Sequence, residues 1–253
     1  MGTHPYRAIL MYHSLDDSGS VISLRPETFR LQMRILFDRG IPAVTPQRLL
    51  AGDGLEPGHP AVSLTFDDGF ANFYTQAFPA LADYNSRATV FLTAGCCGGV
   101  SEWGGQPPSF QSREILCWSR VQELHRLGIQ FGAHTMTHPP LTAIPLERAR
   151  AEILESKKRI EDRIGEEVTT FAYPYGVESR ALREIVAESF DLACSTRMGY
   201  LTDASQRESL ERIDVYYLRN PEWFRRLFRR SGSAYLLGRR ALRRCRHAVL
   251  GPY

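Results

Sequence analysis

The chain has 253 residues, a length that suits one large domain or two small ones and that a single α/β barrel often needs. Hydrophobic residues make up 43% and charged residues 23% of the sequence, as in ordinary soluble globular proteins, so the chain can bury a sizeable core. A net charge of +3 argues against a protein that binds polyanions over its whole surface.

The sequence shows neither an export signal nor a membrane span. Its first residues lack a basic segment followed by an apolar run, and no long uncharged apolar run occurs later. The five cysteines are odd in number and never adopt a Cys-x-x-Cys spacing, which favours reduced thiols. These features predict a cytoplasmic protein.

Short apolar runs alternate along the chain with amphipathic helical patterns. Such alternation predicts parallel strands, in either a barrel or a doubly wound sheet. A Ser119–Gln122 capping box is expected to open one of the helices, which ends at Gly128. The predicted elements, in order, are strand Ala8–Tyr12, helix Glu27–Arg39, strand Ala61–Phe66, helix Phe73–Tyr84, strand Ala88–Thr93, a long loop Cys96–Gln111, the helix from Ser119, strand Ile129–Ala133, helix Leu146–Ile164, strand Thr170–Tyr173, helix Ser179–Ser189 and strand Leu192–Thr196.

Polar or rigid residues directly follow four of the predicted strands. The carboxyl ends of parallel strands meet on one face of a barrel, and that face carries the active site. We therefore expect these residues to lie on one catalytic rim. They are His13; Asp67 and Asp68; His134 and His138; and Pro174, Tyr175 and Gly176.

Two imidazoles and one carboxylate are a suitable ligand set for a divalent metal such as zinc. A second carboxylate beside the metal can act as a general base, so the adjacent aspartates can take different roles. Each motif alone has an ordinary explanation: Asp-Asp-Gly is usually a turn, a spaced histidine pair is often solvated, and His13 alone would more often be structural. Together, each after a buried strand, they predict a metal site.

Three motifs in this order resemble those of the polysaccharide deacetylase family, also called nodulation-deacetylase-like carbohydrate esterases. They are Thr65-Phe66-Asp67-Asp68-Gly69, His134-Thr135-Met136-Thr137-His138-Pro139 and Phe171-Ala172-Tyr173-Pro174-Tyr175-Gly176. The resemblance extends from about residue 8 to residue 215 and is closest to the subgroup of poly-N-acetylglucosamine deacetylases. It implies a distorted (β/α) barrel of about seven parallel strands.

The resemblance also implies roles for individual residues. Asp68, His134 and His138 would bind the metal, which is expected to be zinc, with cobalt, nickel or ferrous iron as alternatives. Asp67 would act as the base. The backbone N–H of Tyr175 would hold the oxyanion, with Tyr173 and Pro174 beside it.

Two positions depart from the family pattern. Many members begin the third motif with an arginine that orients the base, but this chain has Ala172. The late histidine used as general acid is not evident either, because the late histidine here, His247, lies within an arginine-rich segment. In the closest subgroup an early histidine can take the acid role, so His13 is our candidate acid. Arg212 is our candidate replacement for the arginine, and a surface ion pair is the alternative.

The resemblance predicts a hydrolase that removes N-acetyl groups, or O-acetyl groups, from a polysaccharide, oligosaccharide or lipid-linked sugar. One alternative is a carbohydrate-binding pseudoenzyme with a degenerate site. Another is a deformylase that acts on a lipid-linked amino sugar. Release of acetate would distinguish the first two classes.

The end of the sequence is rich in arginine and differs from the rest. We predict a catalytic domain over residues 1–218 and a basic amphipathic tail over 219–253, where aromatic and leucine residues stand beside the arginines. Such a tail can lie on an anionic membrane surface. The alternative is a packed helix followed by a frayed basic end. Nucleic-acid binding is not expected, because no nucleic-acid motif accompanies the charge.

Overall fold

A computed structural model of the chain describes residues 7–103 and 111–250, with side chains up to residue 242. Within these residues, seven parallel strands close a barrel in the order β1-β4-β5-β6-β7-β8-β9, and β2 and β3 form a small parallel pair beside it. The predicted (β/α) barrel of about seven strands is confirmed. The strands are β1 (Arg7–Tyr12), β2 (Ser14–Leu15), β3 (Ser23–Leu24), β4 (Ala61–Phe66), β5 (Thr89–Leu92), β6 (Gln130–Ala133), β7 (Thr170–Ala172), β8 (Leu192–Met198) and β9 (Leu210–Asp214).

Strands β1 and β4 are short apolar runs because both of their faces are covered. All six residues of β4 are buried, and so are five of the six in β1. The two strands pair in parallel from Arg7 opposite Ala61 to Tyr12 opposite Phe66. Both strands therefore end at the same level, and the residues that follow them emerge together at one rim.

Helices connect most of the strands and cover the outside of the barrel. The predicted bounds of the longest connecting helix are confirmed, and it ends where Gly165 adopts a left-handed φ of 75°. The predicted capping box is wrong, because Cys117 precedes the helix and Ser119 lies inside it. The helices are α1 (Pro26–Asp38), α2 (Pro46–Ala51), α3 (Phe78–Asp83, after a π-helical turn Phe73–Ala77), α4 (Trp118–Arg126), α5 (Leu146–Ile164), α6 (Arg180–Ala187), α7 (Pro221–Arg226) and α8 (Arg230–Leu250), and short 3₁₀ turns occur at Leu141–Ala143, Pro174–Gly176 and Val215–Leu218.

Strand β9, which closes the barrel between β8 and β1, was not predicted as a strand. Its sequence, Leu-Glu-Arg-Ile-Asp, has three charged residues and does not show an apolar run. Arg212 is nevertheless buried in the barrel, because it has a buried partner described below. A buried charge paired in the tertiary structure thus concealed the strand.

The first part of the arginine-rich segment packs against the barrel domain. Phe224, Leu227 and Leu236 belong to the same hydrophobic core as the barrel and its surrounding helices. The domain boundary at residue 218 stays a prediction, but α7 and the start of α8 are not detached from the domain. Over the residues described, no helix combines the length and the apolar character needed to span a bilayer.

Candidate metal centre and active site

The carboxyl ends of four barrel strands bring the predicted site residues together. Asp67 and Asp68 follow β4, and Asp67 is tied to the neighbouring strand because its N–H donates to the carbonyl of Tyr12 at 3.0 Å. His134 follows β6 in the same way, with its N–H donating to the carbonyl of Leu92 at 3.0 Å. These residues therefore lie on one rim of the barrel, as expected.

Asp68, His134 and His138 form a buried triad with ligand atoms within 4.8 Å of one another. The Oδ1 atom of Asp68 lies 3.4 Å from Nε2 of His134 and 3.2 Å from Nε2 of His138. Ligands held tetrahedrally at about 2.0–2.1 Å from an ion stand about 3.3 Å apart. Both histidine nitrogens therefore lie at the distance from Asp68 Oδ1 that a zinc-sized ion requires.

The protonation states of the triad also suit a metal. Burial would raise the pKa of Asp68, but hydrogen bonds from His134 and His138 outweigh it and hold the pKa well below the usual value. Burial lowers the pKa of His138 despite the neighbouring carboxylate. Because metal ligands must be deprotonated, an ionised Asp68 and a neutral His138 are the required forms.

A hydrogen bond fixes the orientation of the His134 ring. Its Nδ1 atom lies 2.7 Å from the carbonyl oxygen of Ala172, which can only accept, so Nδ1 carries the proton. Nε2 faces Asp68, and on losing its proton it can direct a lone pair to a metal, as in sites where the second ring nitrogen donates to a backbone carbonyl. Ala172, which lacks the family arginine, thus still contributes its backbone to the site.

His138 is held differently, between aromatic rings. Its imidazole centroid lies 4.5 Å from the ring of Trp103 and 4.7 Å from the ring of Tyr175. Its Nδ1 atom is buried without a hydrogen-bond partner among the described residues. Packing and the contact of Nε2 with Asp68 therefore set the orientation of this ring.

The backbone at the site adopts a conformation that non-glycine residues avoid. Among the described residues, five non-glycine residues have positive φ, and four of them lie here: Asp68 at 70°, Thr135 at 69°, His138 at 58° and Tyr175 at 59°. Such conformations cost free energy and persist only where the surroundings enforce them. Their concentration at one rim indicates a site whose geometry is maintained at the expense of stability.

Glu152 of α5 anchors the loop that carries both histidines. This carboxylate is only 2% exposed. It accepts hydrogen bonds from the N–H of Met136 at 2.9 Å, the N–H of Thr137 at 2.8 Å and the hydroxyl of Thr137 at 2.8 Å. It also pairs with Arg148 at 3.1 Å. Glu152 thereby fixes the backbone between the two histidines.

Asp67 forms a buried bidentate ion pair with Arg212 of β9. Nη1 of Arg212 donates to Oδ1 of Asp67 at 2.6 Å, and Nη2 donates to Oδ2 at 2.7 Å. Nε of Arg212 donates to the carbonyl of Ser195 at 2.8 Å, and Nη1 also donates to the hydroxyl of Thr65 at 3.3 Å. Arg212 is 1% exposed, so the alternative of a surface ion pair does not apply.

This pair determines the charge of Asp67. Burial would raise the pKa of this carboxyl group, but the charge and hydrogen bonds of Arg212 outweigh that effect and lower the pKa. The positive charge that Ala172 of β7 cannot supply thus reaches Asp67 from β9, two strands away in the barrel. Asp67 is ionised at neutral pH.

His13 lies at the same rim, directly after β1, and is half-buried. Its charge lowers the pKa of both Asp67 and Asp68, which places the imidazole within electrostatic reach of the two carboxylates. Its role as an acid is not tested by this proximity and stays a prediction.

The third motif forms a tight turn whose residues differ in orientation. Tyr175 sits at the turn beside His138, and its carbonyl accepts a hydrogen bond from Thr196 at 3.4 Å. Gly176 follows with a φ of 69°, where an added Cβ atom would lie only 2.0 Å from Thr196 Oγ1. Pro174 is buried at the start of the turn.

The prediction that Tyr173 lies beside the oxyanion is wrong for its side chain. Its ring is fully buried, 5.1 Å from the ring of Phe171, and its hydroxyl donates to the carbonyl of Glu208 at 2.9 Å. The side chain therefore belongs to the core and cannot contact a substrate. Strand β7 ends one residue earlier than predicted, and Tyr173 begins the turn.

Two residues that shape the site, Glu152 and Trp103, were not predicted from the sequence. A signal existed for Glu152, because an acid stands next to Ala149 and Ile153 on the buried face of a helix. Trp103 lies in the loop after β5, part of which is outside the described residues, and no periodic pattern marks it.

The sequence is similar to those of known proteins. The sequence profile described as polysaccharide deacetylase matches residues 54–190, which include Asp67, Asp68, His134, His138 and the third motif. His13 and Arg212 lie outside that match.

Individual relatives cover most of the chain. The candidate polysaccharide deacetylase YxkH of Bacillus subtilis is 26% identical over 82% of this chain and 70% of its own length. The poly-β-1,6-N-acetyl-D-glucosamine N-deacetylase of Escherichia coli K12 is 24% identical over 81% of this chain, which corresponds to 36% of that protein.

Solved structures agree with this assignment of the fold. The Streptococcus pyogenes deacetylase PplD, determined in complex with acetate, superposes with a TM-score of 0.71 and 25% identity over 83% of this chain and 92% of its own. IcaB from Ammonifex degensii has the same fold, with a TM-score of 0.72 and 24% identity over 92% of this chain and 97% of its own.

Proposed function

The chain belongs to the polysaccharide deacetylase family, and we propose that it is a metal-dependent hydrolase that removes N-acetyl groups from a glycan. The family is enzymatic, and one relative is named for N-deacetylation of poly-β-1,6-N-acetyl-D-glucosamine. One observation carries the proposal. The buried ligand triad of Asp68, His134 and His138 stands directly beside an ionised, arginine-paired Asp67.

The triad fits a zinc ion in its spacing, its protonation states and the fixed tautomer of His134. A divalent metal held there would make water more acidic and polarise the carbonyl oxygen of an amide. Zinc is our proposal because two imidazoles and one carboxylate are its usual ligands in hydrolytic sites.

Asp67 is the proposed general base. Each of its oxygens accepts one hydrogen bond from Arg212, and an ionised carboxylate has about four acceptor sites in all. Each oxygen can therefore still accept a proton from a water molecule that attacks the acetamide carbon. Arg212 has two opposing effects. It holds the carboxylate ionised and correctly oriented, but it also weakens Asp67 as a base.

His13 is the proposed general acid. An imidazolium can transfer a proton to the nitrogen of the departing amine. The half-buried position at the rim and the electrostatic effect on both aspartates support this role. The backbone N–H of Tyr175 is the proposed donor to the carbonyl oxygen, since the turn places this residue against His138.

The structure weakens the case for a carbohydrate-binding pseudoenzyme. That alternative drew support from Ala172, where many family members have an arginine. The Asp67–Arg212 pair supplies the missing charge from β9, and binding alone would not require a buried ionised base. Catalysis is therefore the function that this arrangement supports best.

The proposal is tested by measuring acetate release from a panel of glycans. The panel contains oligomers of β-1,6- and β-1,4-linked N-acetylglucosamine, an O-acetylated xylan and a polyprenyl-linked N-acetylated sugar, and formate release from an N-formyl sugar is measured in parallel. We expect acetate and free amine in equal amounts, loss of activity with chelator and recovery with Zn²⁺. Release only from the O-acetyl or N-formyl substrate would refute N-deacetylation, and a metal-loaded protein inactive on every substrate would refute catalysis.

A further inference from the structure

The net positive charge of the molecule comes from its last 35 residues. Residues 219–253 contain one acid, Glu222, and ten arginines. The remaining 21 basic and 27 acidic residues give residues 1–218 a net charge of −6, against +9 for the end of the chain. The arginines are Arg219, Arg225, Arg226, Arg229, Arg230, Arg239, Arg240, Arg243, Arg244 and Arg246.

The fold holds part of this segment rigidly against the domain. Phe224 and Leu227 are fully buried, and Leu236 anchors one face of α8. The Trp223 ring stacks on Tyr235 with a centroid distance of 4.0 Å, which joins α7 to α8. The start of the basic segment is therefore a packed platform.

The opposite face of α8 is apolar and exposed. Ala234, Leu237 and Ala241 follow one another at spacings of three and four residues, so they share one side of the helix. Leu237 is 64% exposed, and the neighbouring Leu242 is 63% exposed. We call these four residues the α8 strip.

Several arginines of this segment have no acidic partner among the described side chains. Arg225 pairs with Glu222 at 2.6 Å. Among the described side chains, no carboxylate lies within ion-pair distance of Arg229, Arg230 or Arg240. The positive charge therefore faces solvent around an exposed apolar face.

We propose that the α8 strip and its flanking arginines bind the surface of an anionic lipid bilayer. Leucines that enter the interface, with arginines at the headgroup level, are characteristic of helices that lie in the membrane plane. A second copy of the chain is a poorer occupant, because a two-fold interface would set the arginine-rich faces against each other. The proposal does not depend on the hydrolase activity.

The test is co-sedimentation of the full chain with lipid vesicles. Phosphatidylcholine vesicles with and without phosphatidylglycerol are compared at low and high NaCl. We expect binding only to the anionic vesicles, and this binding weakens as salt rises. Equal binding to both vesicle types, or no binding to either at low salt, would overturn the proposal.

Two variants locate the binding surface. The first is the triple variant Arg229→Glu/Arg230→Glu/Arg240→Glu, which should weaken binding to anionic vesicles by at least about tenfold. The second is Leu237→Ser, which should weaken the binding that remains at high salt. The matched controls are Arg34→Glu/Arg180→Glu and Leu146→Ser, which alter exposed residues of other helices. Unchanged melting temperatures establish that all variants are folded.

Binding of the triple variant at the parental level, or equal loss in the controls, would place the interaction elsewhere and overturn the proposal. A fluorescent DNA duplex is tested at the same ionic strength. Tight binding of the duplex without vesicle binding would assign the surface to nucleic acid instead.

Discussion

Replacing Arg212 by methionine should destabilise the fold as well as impair catalysis. Asp67 is 2% exposed and would keep a buried charge without a partner. Removing one member of a buried ion pair costs about 3–5 kcal/mol. The carbonyl of Ser195 and the hydroxyl of Thr65 would also lose their bonds to the guanidinium. We therefore expect the free energy of unfolding to fall by an amount near the upper end of this range.

The assay is urea unfolding of metal-free protein at pH 7, with the parent, Arg212→Met, Asp67→Asn and the double variant compared. The double variant should be more stable than the sum of the single losses implies, with a coupling of about 1–3 kcal/mol. Arg180→Met is the control, because Arg180 forms an exposed pair with Glu184 and should cost no more than about 1 kcal/mol.

The pH dependence provides an independent check on the same pair. Arg212 keeps the folded-state pKa of Asp67 below its unfolded value of about 3.9. The resulting stability is present above that pH and is lost as pH falls through the folded-state pKa. In Arg212→Met, burial raises the pKa of Asp67. Protonation of Asp67 at low pH then removes the unpaired buried charge and stabilises the variant. The difference in free energy of unfolding between the parent and Arg212→Met should therefore narrow as pH falls below about 5. A loss under about 1 kcal/mol at pH 7, or a gap independent of pH, would refute this account of Asp67.

Three further substitutions test the site. His138→Ala should abolish tight Zn²⁺ binding by calorimetry, whereas His59→Ala, which alters an exposed histidine, should not; full metal content in His138→Ala would contradict the ligand assignment. His13→Ala should retain its metal but lower kcat by about 10²–10⁴-fold and remove the basic limb of the kcat pH profile; a parental kcat would exclude the acid role. Glu152→Gln should weaken Zn²⁺ affinity by about 10–100-fold, because one carboxylate holds the loop between both histidines, while Glu155→Gln on the same helix should leave affinity unchanged; equal affinities would show that the loop holds its shape without Glu152.

The sequence could predict much of the site because its residues occupy the ends of recognisable strands. The apolar run Ala61–Phe66 gave the bounds of β4, and Asp67 and Asp68 follow it at once. The spacing of His134 and His138 after a buried strand likewise predicted partners for a carboxylate. Both ends of helix α5 were predicted correctly because its apolar period is regular and Gly165 terminates it.

The remainder depends on tertiary pairing, which local patterns do not record. Arg212 was identified as a candidate partner, but the strand that carries it looked like a polar segment. Glu152 bonds to backbone N–H groups of a loop that lies at least 15 residues earlier in the chain. Tyr173 was placed beside the oxyanion because it belongs to the family motif, whereas β7 ends before it and its side chain packs in the core.

The central claim is that the triad binds one metal ion and that this ion is needed for deacetylation. The direct measurement is a titration of metal-free protein with Zn²⁺, in which metal binding and acetate release from an N-acetylglucosamine oligomer are followed together. We expect acetate release to rise in proportion to bound metal and to reach its plateau at one equivalent per chain. Acetate release from the metal-free protein, or a plateau unrelated to occupancy of a site that His138→Ala removes, would contradict the claim.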